Sequence, residues 1–289
     1  MKNQHLKYVF ELSLATLFIS TSGALGKYIA MSPPVIIWWR SIIAALFIYL
    51  YCRYKKINLK IESKKDLVNL IIGGLFLAIH WITYFYALKL SNVAIGMLSL
   101  FSYPVITALL EPLFIKVKLD PVHLLLGFIV LIGIFFLAPD FNLESNQVKG
   151  ILLGLVSALF YALRLLILKK QVKIYNGTTL MLYQLLIISI ILAPVLYFMD
   201  VSNLQSQFPY ILLLALLTTA IGHTLFIQSL KYFTASTASI INSTQSVFGI
   251  VIAYFFLGEV PSTSTFFGGL LILSTVIFES IRSGKKAYR

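Results

Sequence analysis

Apolar runs long enough to cross a bilayer recur from one end of this chain to the other, and they leave room for little else. Reading between charges and turn residues gives ten of them, near residues 8–30, 33–51, 67–88, 93–115 and 122–138, and again near 150–168, 178–199, 208–230, 235–257 and 266–281. A helix needs roughly 20 such residues to span the hydrocarbon core. Apolar and aromatic residues make up 59% of the 289 residues and charged ones only 11%, with a mean hydropathy of +0.92. A water-soluble domain with that balance would expose far too much hydrocarbon. The expected class is an all-α integral membrane protein.

The formal charge of +13 could point to nucleic acid, but the placement of the charges points elsewhere. With the N-terminus cytoplasmic, 18 of the 23 Lys and Arg fall in inner segments, while the outer loops hold only Lys27, Lys89 and Lys149. This is the positive-inside bias, and it predicts ten spans with both termini in the cytoplasm. No nucleic-acid partner is expected. The basic start and apolar stretch of "MKNQHLKYVFELSLATLF" also fit a signal peptide, but Glu11 inside the run and nine later spans favour an uncleaved first helix. Cys52 is the only cysteine, which leaves no intramolecular disulfide and no Cys-based metal site. Neither a metal nor any other cofactor is expected.

The chain also repeats itself. "AIHWITYFYALKLSNVAIGMLSLF" from Ala78 aligns without gaps on "AIGHTLFIQSLKYFTASTASIINS" from Ala220, an offset of 142 residues that also places Ala15 over Ser157, Lys89 over Lys231 and Gly127 over Gly269. Five spans per half is an odd number, so equivalent helices run in opposite directions. The predicted fold is therefore ten transmembrane helices arranged as two inverted five-helix repeats, an architecture that sets a substrate site near the midplane. The expected division is residues 1–138 for the first repeat, 139–149 for an outer connecting loop, 150–281 for the second repeat and 282–289 for a basic cytoplasmic tail.

Three stretches carry a likeness to a known family: Arg40 in "WWRSIIAALF", Pro104 in "SYPVITALLEPLF", and "FFLGEVPSTSTFFGGLLILSTVI" from Phe255 to Ile277. In these, and in its two five-helix halves, the chain resembles the EamA branch of the drug/metabolite transporter superfamily, bacterial exporters and permeases of the inner membrane. One departure is visible: where the first half should end its fourth helix in a Gly-Glu-like pair it has Lys116 and Val117, with Glu111 further back. The resemblance implies a central cavity among helices 1, 3, 4, 6, 8 and 9, with helices 5 and 10 peripheral and able to form a homodimer contact.

Charges inside spans are costly unless they snorkel, pair or face water, so each is a candidate. Arg40 lies about 10 Å below the outer surface at helical rise. It reads either as a structural or snorkelling arginine, with Trp38 and Trp39 as interfacial anchors, or as part of a gate, with Glu259 its nearest acid by depth. Arg164, Glu11 and Glu111 lie at similar depth towards the cytoplasm and read as an ion cluster, gating or merely satisfying one another. His80 and His223 fall near the midpoints of helices 3 and 8, where each is a packing residue or a group that binds substrate or carries a proton. Hydroxyl stripes run along helix 1 (Ser13, Thr16, Ser20), helix 4 (Ser99, Ser102, Tyr103, Thr107) and helix 9 (Ser236, Ser239, Ser243, Ser246). Such stripes also mediate packing, as do Gly150 and Gly154.

The expected substrate-binding set is His80, Tyr84, Ser99, Tyr103, Tyr161, His223, Asn242 and Gln245, with Gln184 and Gln228 as further lining. A cavity so lined holds few fixed charges and fits a neutral or zwitterionic solute better than a polyanion. No phosphate-binding "GxxxxGK[ST]" loop is present, so the expected function is a secondary transporter, an exporter, of small organic solutes such as amino acids, metabolites or drugs, by alternating access of the two inverted repeats. A flippase for lipids or lipid-linked sugars and, less well, a membrane-embedded transferase are the competing readings. Membrane lipid and a coupling proton are the remaining expected partners.

Overall fold

The computed structural model describes residues 2–114, 120–137, 142–229, 231–232 and 235–287, and every regular element among them is helical. Helices α1 (Lys2–Tyr28), α2 (Pro33–Tyr54) and α3 (Lys64–Leu90) are continuous. Then come α4 (Val93–Leu100), α5 (Tyr103–Phe114), α6 (Pro121–Leu137) and α7 (Asn146–Gln171). Helix α8 (Gly177–Leu192) is followed by the short α9 (Val195–Phe198), and α10 (Leu204–Leu213) runs through a π-helical segment (Leu214–His223) into α11 (Thr224–Ser229). The chain closes with α12 (Ala235–Leu257) and α13 (Thr263–Ala287).

Among the described residues, six helical stretches are long and apolar enough to cross a membrane: 33–54, 64–90, 93–114, 146–171, 177–198 and 204–229. Three shorter apolar helices, 121–137, 244–257 and 263–278, accompany them. The described residues make an all-helical polytopic membrane protein.

Local sequence sets where these helices start and stop. Pro33 and Pro34 open α2, where a missing N–H costs nothing. Asn92 caps α4 by accepting from the Ile95 amide at 2.8 Å, and Ser145 caps α7 by accepting from Val148 at 3.2 Å. Gly258, at φ +70°, ends α12 in the left-handed conformation that suits glycine.

Three predicted spans are interrupted. The fourth breaks between α4 and α5 at Phe101 and Ser102, because Pro104 brings no amide to the ladder and forces the preceding turn open. The seventh breaks at Pro194 for the same reason. The eighth widens into the π-helical turn, an irregularity that tends to accompany function. The break at Phe101 and Ser102 is buried, so these groups are satisfied by protein: the Phe101 amide donates to the Met97 carbonyl and the Ser102 hydroxyl to that of Ser99.

Helix α3 packs along α7, α1 lies against α12 and the π-helical segment, α2 against α8 and the same π-helical segment, and α13 against α6. Close approach depends on small residues. A Cβ at Gly150 would sit 2.8 Å from Ser91 of the α3–α4 turn, and one at Gly268 would sit 2.6 Å from the Gly133 carbonyl oxygen across the α6–α13 crossing. Outside, α6 presents Leu124, Leu125, Phe128, Leu131 and Phe135, all more than half exposed, at the spacing of one helix face. That face has the composition of a lipid contact. The Lys116 and Val117 departure lies outside the described residues, as do the side chains of Ser236, Ser239 and Ser243.

Candidate substrate site

The centre of the bundle holds two arginines shut away from solvent. Arg40 and Arg164 are both fully buried. Arg40 enters from α2, seven residues inside Pro33. The guanidinium lies 4.1 Å over the Trp81 ring and 5.5 Å from that of Phe85, where the ring faces attract a cation. The Nε group donates to Thr219 Oγ1 at 3.0 Å, and Nη2 donates to Thr219 Oγ1 at 2.7 Å and Thr218 Oγ1 at 3.0 Å.

The π-helical turn makes this geometry available. Thr218 passes its hydroxyl proton to the Leu214 carbonyl four residues back, and Thr219 reaches the same carbonyl five residues back, a span matched to the wider turn. With both protons committed, the hydroxyl lone pairs face Arg40.

Arg164 enters from α7, seven residues before the helix ends at Gln171. It is held by an amide: Nε and Nη2 both donate to Gln184 Oε1 of α8, at 3.0 and 2.8 Å. The Tyr161 ring lies 5.9 Å from the guanidinium carbon. Both arginines thus rest on neutral oxygens and aromatic faces. Among the described residues, no carboxylate accepts a hydrogen bond from either one.

Between them lie the histidines and tyrosines. His80 Nδ1 meets Ser157 Oγ at 2.7 Å and the Ser157 carbonyl at 3.2 Å, while the Ser157 hydroxyl donates to the His80 carbonyl at 2.9 Å. The single hydroxyl proton is therefore committed, and Nδ1 carries the proton of the imidazole. The His80 ring lies 4.6 Å from that of Tyr161 and 6.2 Å from that of Tyr84. Tyr161 stands edge-on to Tyr103 at 4.6 Å, and Tyr103 Oη accepts from Asn242 Nδ2 at 2.6 Å. His223 approaches Trp81 at 5.3 Å between centroids.

A set of buried polar atoms in this region makes no hydrogen bond: Nη1 of Arg40 and of Arg164, Tyr84 Oη, Gln184 Nε2, His223 Nδ1 and Asn242 Oδ1. A buried polar atom without a partner costs about 1–3 kcal/mol, so one such atom is a defect and a group of them marks a place built to meet something else.

Several expectations change here. Arg40 neither snorkels nor pairs with Glu259. The Glu259 carboxylate instead accepts from the Val93 amide at 2.7 Å, against the positive end of α4, and its charge acts on Lys27. Lys27 Nζ in turn donates to the carbonyls of Lys89 at 3.2 Å and Ser91 at 2.6 Å. Equal depth did not bring Arg40 and Glu259 together because Glu259 follows the end of α12 and meets the unpaired amides of the α3–α4 turn first.

The expected cluster of Arg164 with Glu11 and Glu111 is also replaced. Arg164 turns inward to Gln184, Glu111 pairs with the half-exposed Lys169, and Glu11 acts electrostatically on Tyr232. The core consequently carries two fixed positive charges, more than the lightly charged cavity expected.

His80, Tyr84, Tyr103, Tyr161, His223 and Asn242 are brought into one buried region. Gln245 is buried on α12. Ser99 is buried where a Cβ on Gly154 of α7 would press on it, a packing position whose hydroxyl has no partner. Thr16 and Ser20 spend their hydroxyls on carbonyls four residues back in α1. Gln228 donates to Thr178 at 2.6 Å. Trp81, Ser157 and Thr218 were missed: each looks like ordinary span filler until a partner helix is placed against it.

A polytopic helical bundle whose buried centre is ringed with polar and charged side chains defines the class as a membrane transport protein. The EamA-like transporter family matches this chain twice, at residues 6–138 and 148–281, and the chain belongs to that family. It is 24% identical over 269 residues to the pseudopaline exporter CntI of Pseudomonas aeruginosa, covering 91% of this chain and 92% of that one. It is also 24% identical over 285 residues to the uncharacterized transporter YxxF of Bacillus subtilis, covering 96% and 91%. A solved crystal structure superposes with a TM-score of 0.69 at 16% identity, covering 96% of each chain, a likeness of fold.

Proposed function

We propose that this protein is a secondary transporter that exports small organic solutes, such as amino acids, metabolites or drugs, by alternating access of two inverted five-helix halves in a bacterial inner membrane, both termini cytoplasmic. The observation that carries the reading is the group of unpaired buried polar atoms where helices of the two halves meet, because a membrane protein retains such a cost where a passing solute meets it.

The packing supports the inverted arrangement. Exchanging the halves turns the contact of α3 with α7 into that of α1 with the 204–229 helix, and the contact of α1 with α12 into that of α4 with α7. The pairs α2 with α8 and α6 with α13 map onto themselves. Two matches of one family along the chain point the same way. Export is carried over from the name of the Pseudomonas relative.

Purified protein in proteoliposomes provides the test, with counterflow of labelled amino acids, nucleosides, polyamines and drugs as the readout. Counterflow of at least one solute that is weakened by His80→Ala or His223→Ala is expected. Scrambling of fluorescent lipids with no solute counterflow would sink the reading in favour of a flippase. Repeating the assay with and without an imposed pH gradient decides proton coupling.

A further inference from the structure

Two guanidinium groups buried in a membrane protein present an unusual charge balance. Arginine stays protonated at any pH a cell reaches, so the centre of the bundle carries two positive charges. Buried arginines are ordinarily matched by carboxylates. Here the acceptors are two threonine hydroxyls for Arg40 and one glutamine amide oxygen for Arg164, all neutral. The acids near them in sequence depth are engaged towards the ends of the bundle, Glu259 at the start of α4 and Glu111 against Lys169.

The two arginines share a design. In each, the Nε and Nη2 edge is tied to the protein and the Nη1 amino group is buried without a partner. Tying one edge fixes the plane of the guanidinium and leaves the other edge for a ligand oxygen. The residues also lie at opposite depths, each about 10 Å in from its own end of the bundle at helical rise.

From this geometry we infer that the transported solute is an organic anion recognised through a carboxylate, which Arg164 and Arg40 bind at successive depths of the pathway. The inference rests on the transporter reading and narrows its solute class. Each unpaired Nη1 offers a charged N–H donor to a carboxylate oxygen, and an incoming carboxylate supplies the negative charge that, among the described residues, no acid brings to either guanidinium. The rings of Trp81, Tyr84 and Tyr161 provide apolar and aromatic surface for the rest of the molecule.

Trp81 reports on this site because Arg40 rests on its ring. In a Trp38→Phe/Trp39→Phe background it is the sole tryptophan. Its emission is followed while the purified full-length protein is titrated with benzoate, succinate and L-glutamate, and in parallel with benzamide, benzylamine and inorganic phosphate. A saturable response to at least one carboxylate is expected, with the amide and the amine silent. Arg40→Gln and Arg164→Gln should each weaken it at least tenfold, and Arg40→Lys should restore part of it because charge is kept. Circular dichroism and gel filtration establish that each variant is folded.

Any of four results overturns the inference: no saturable response to any carboxylate, an equal response to benzamide or benzylamine, unchanged binding in both folded glutamine variants, or saturation by phosphate alone. Counterflow of a cationic or neutral solute, measured in the same preparation, separates anion recognition from transport itself. If such a solute exchanges while no carboxylate binds the protein with both arginines intact, transport stands and anion recognition falls. Carboxylate binding without counterflow of any solute, carboxylates included, would leave anion recognition standing and remove transport.

Discussion

Replacing Thr219 by valine keeps the volume of the side chain and removes only its hydroxyl. Two of the three hydrogen bonds that hold the Arg40 guanidinium end on that hydroxyl, at 3.0 and 2.7 Å. Hydrogen bonds to a charged group are each worth roughly 1.5–3 kcal/mol. Thr218 stands close enough to take over part of the load, so the expected cost of Thr219→Val is about 3 kcal/mol. Unfolding in mixed micelles with increasing sodium dodecyl sulfate measures it. The decisive version is a double-mutant cycle with Arg40→Met, which removes the cation and keeps the stem. With no guanidinium to satisfy, Thr219→Val should cost less than about 1 kcal/mol, giving a coupling on the order of 2 kcal/mol. If the two changes add within about 0.5 kcal/mol, the threonines do not support Arg40, and the π-helical turn has no part in holding it.

Other perturbations separate groups that matter from groups that only touch. Ser157→Ala removes both hydroxyl contacts with His80 and should destabilise by about 1–2 kcal/mol, read by the same unfolding titration; a silent substitution would mean His80 is held by other groups. Gly268→Ala places a methyl group against the Gly133 carbonyl, where the backbone must yield, so a loss of about 1–3 kcal/mol is expected, with a cross-link between α6 and α13 forming more slowly. Glu111→Gln breaks a pair whose lysine is half exposed, and should change stability by less than about 1 kcal/mol; a larger loss would make Glu111 a gating residue again. Glu259→Gln removes the negative charge at the start of α4 and should cost about 1 kcal/mol, diminishing as salt is raised.

Much of this protein was legible before any helix was placed. The membrane class follows from apolar content and run length. Arg40, His80, His223 and the tyrosines could be singled out because a polar group in an apolar span is conspicuous on its own. Their partners could not. Depth was the only coordinate the chain offered, and it matched Arg40 with Glu259 and Arg164 with Glu11 and Glu111. Depth says nothing about which way a side chain points round the helix or which helix stands opposite. The broken fourth span carried its signal openly in Pro104. The π-helical turn at Leu214–His223 carried none, since its residues are ordinary apolar and hydroxyl types with no proline or glycine until Gly222.

Transfer free energy is additive along a chain, and this is why the sequence alone determined the class of protein, the apolar stretches and the polar residues within them. Pairing is not additive. Arg40 meets Thr219 across 179 residues of chain, His80 meets Ser157 across 77, and Asn242 meets Tyr103 across 139. Each contact exists only after helix packing has fixed rotation and height together, to within the few tenths of an ångström that a hydrogen bond tolerates. The tertiary structure therefore decided that two arginines would share one core in which, among the described residues, neither is met by a carboxylate, and the solute charge we infer rests on that pairing.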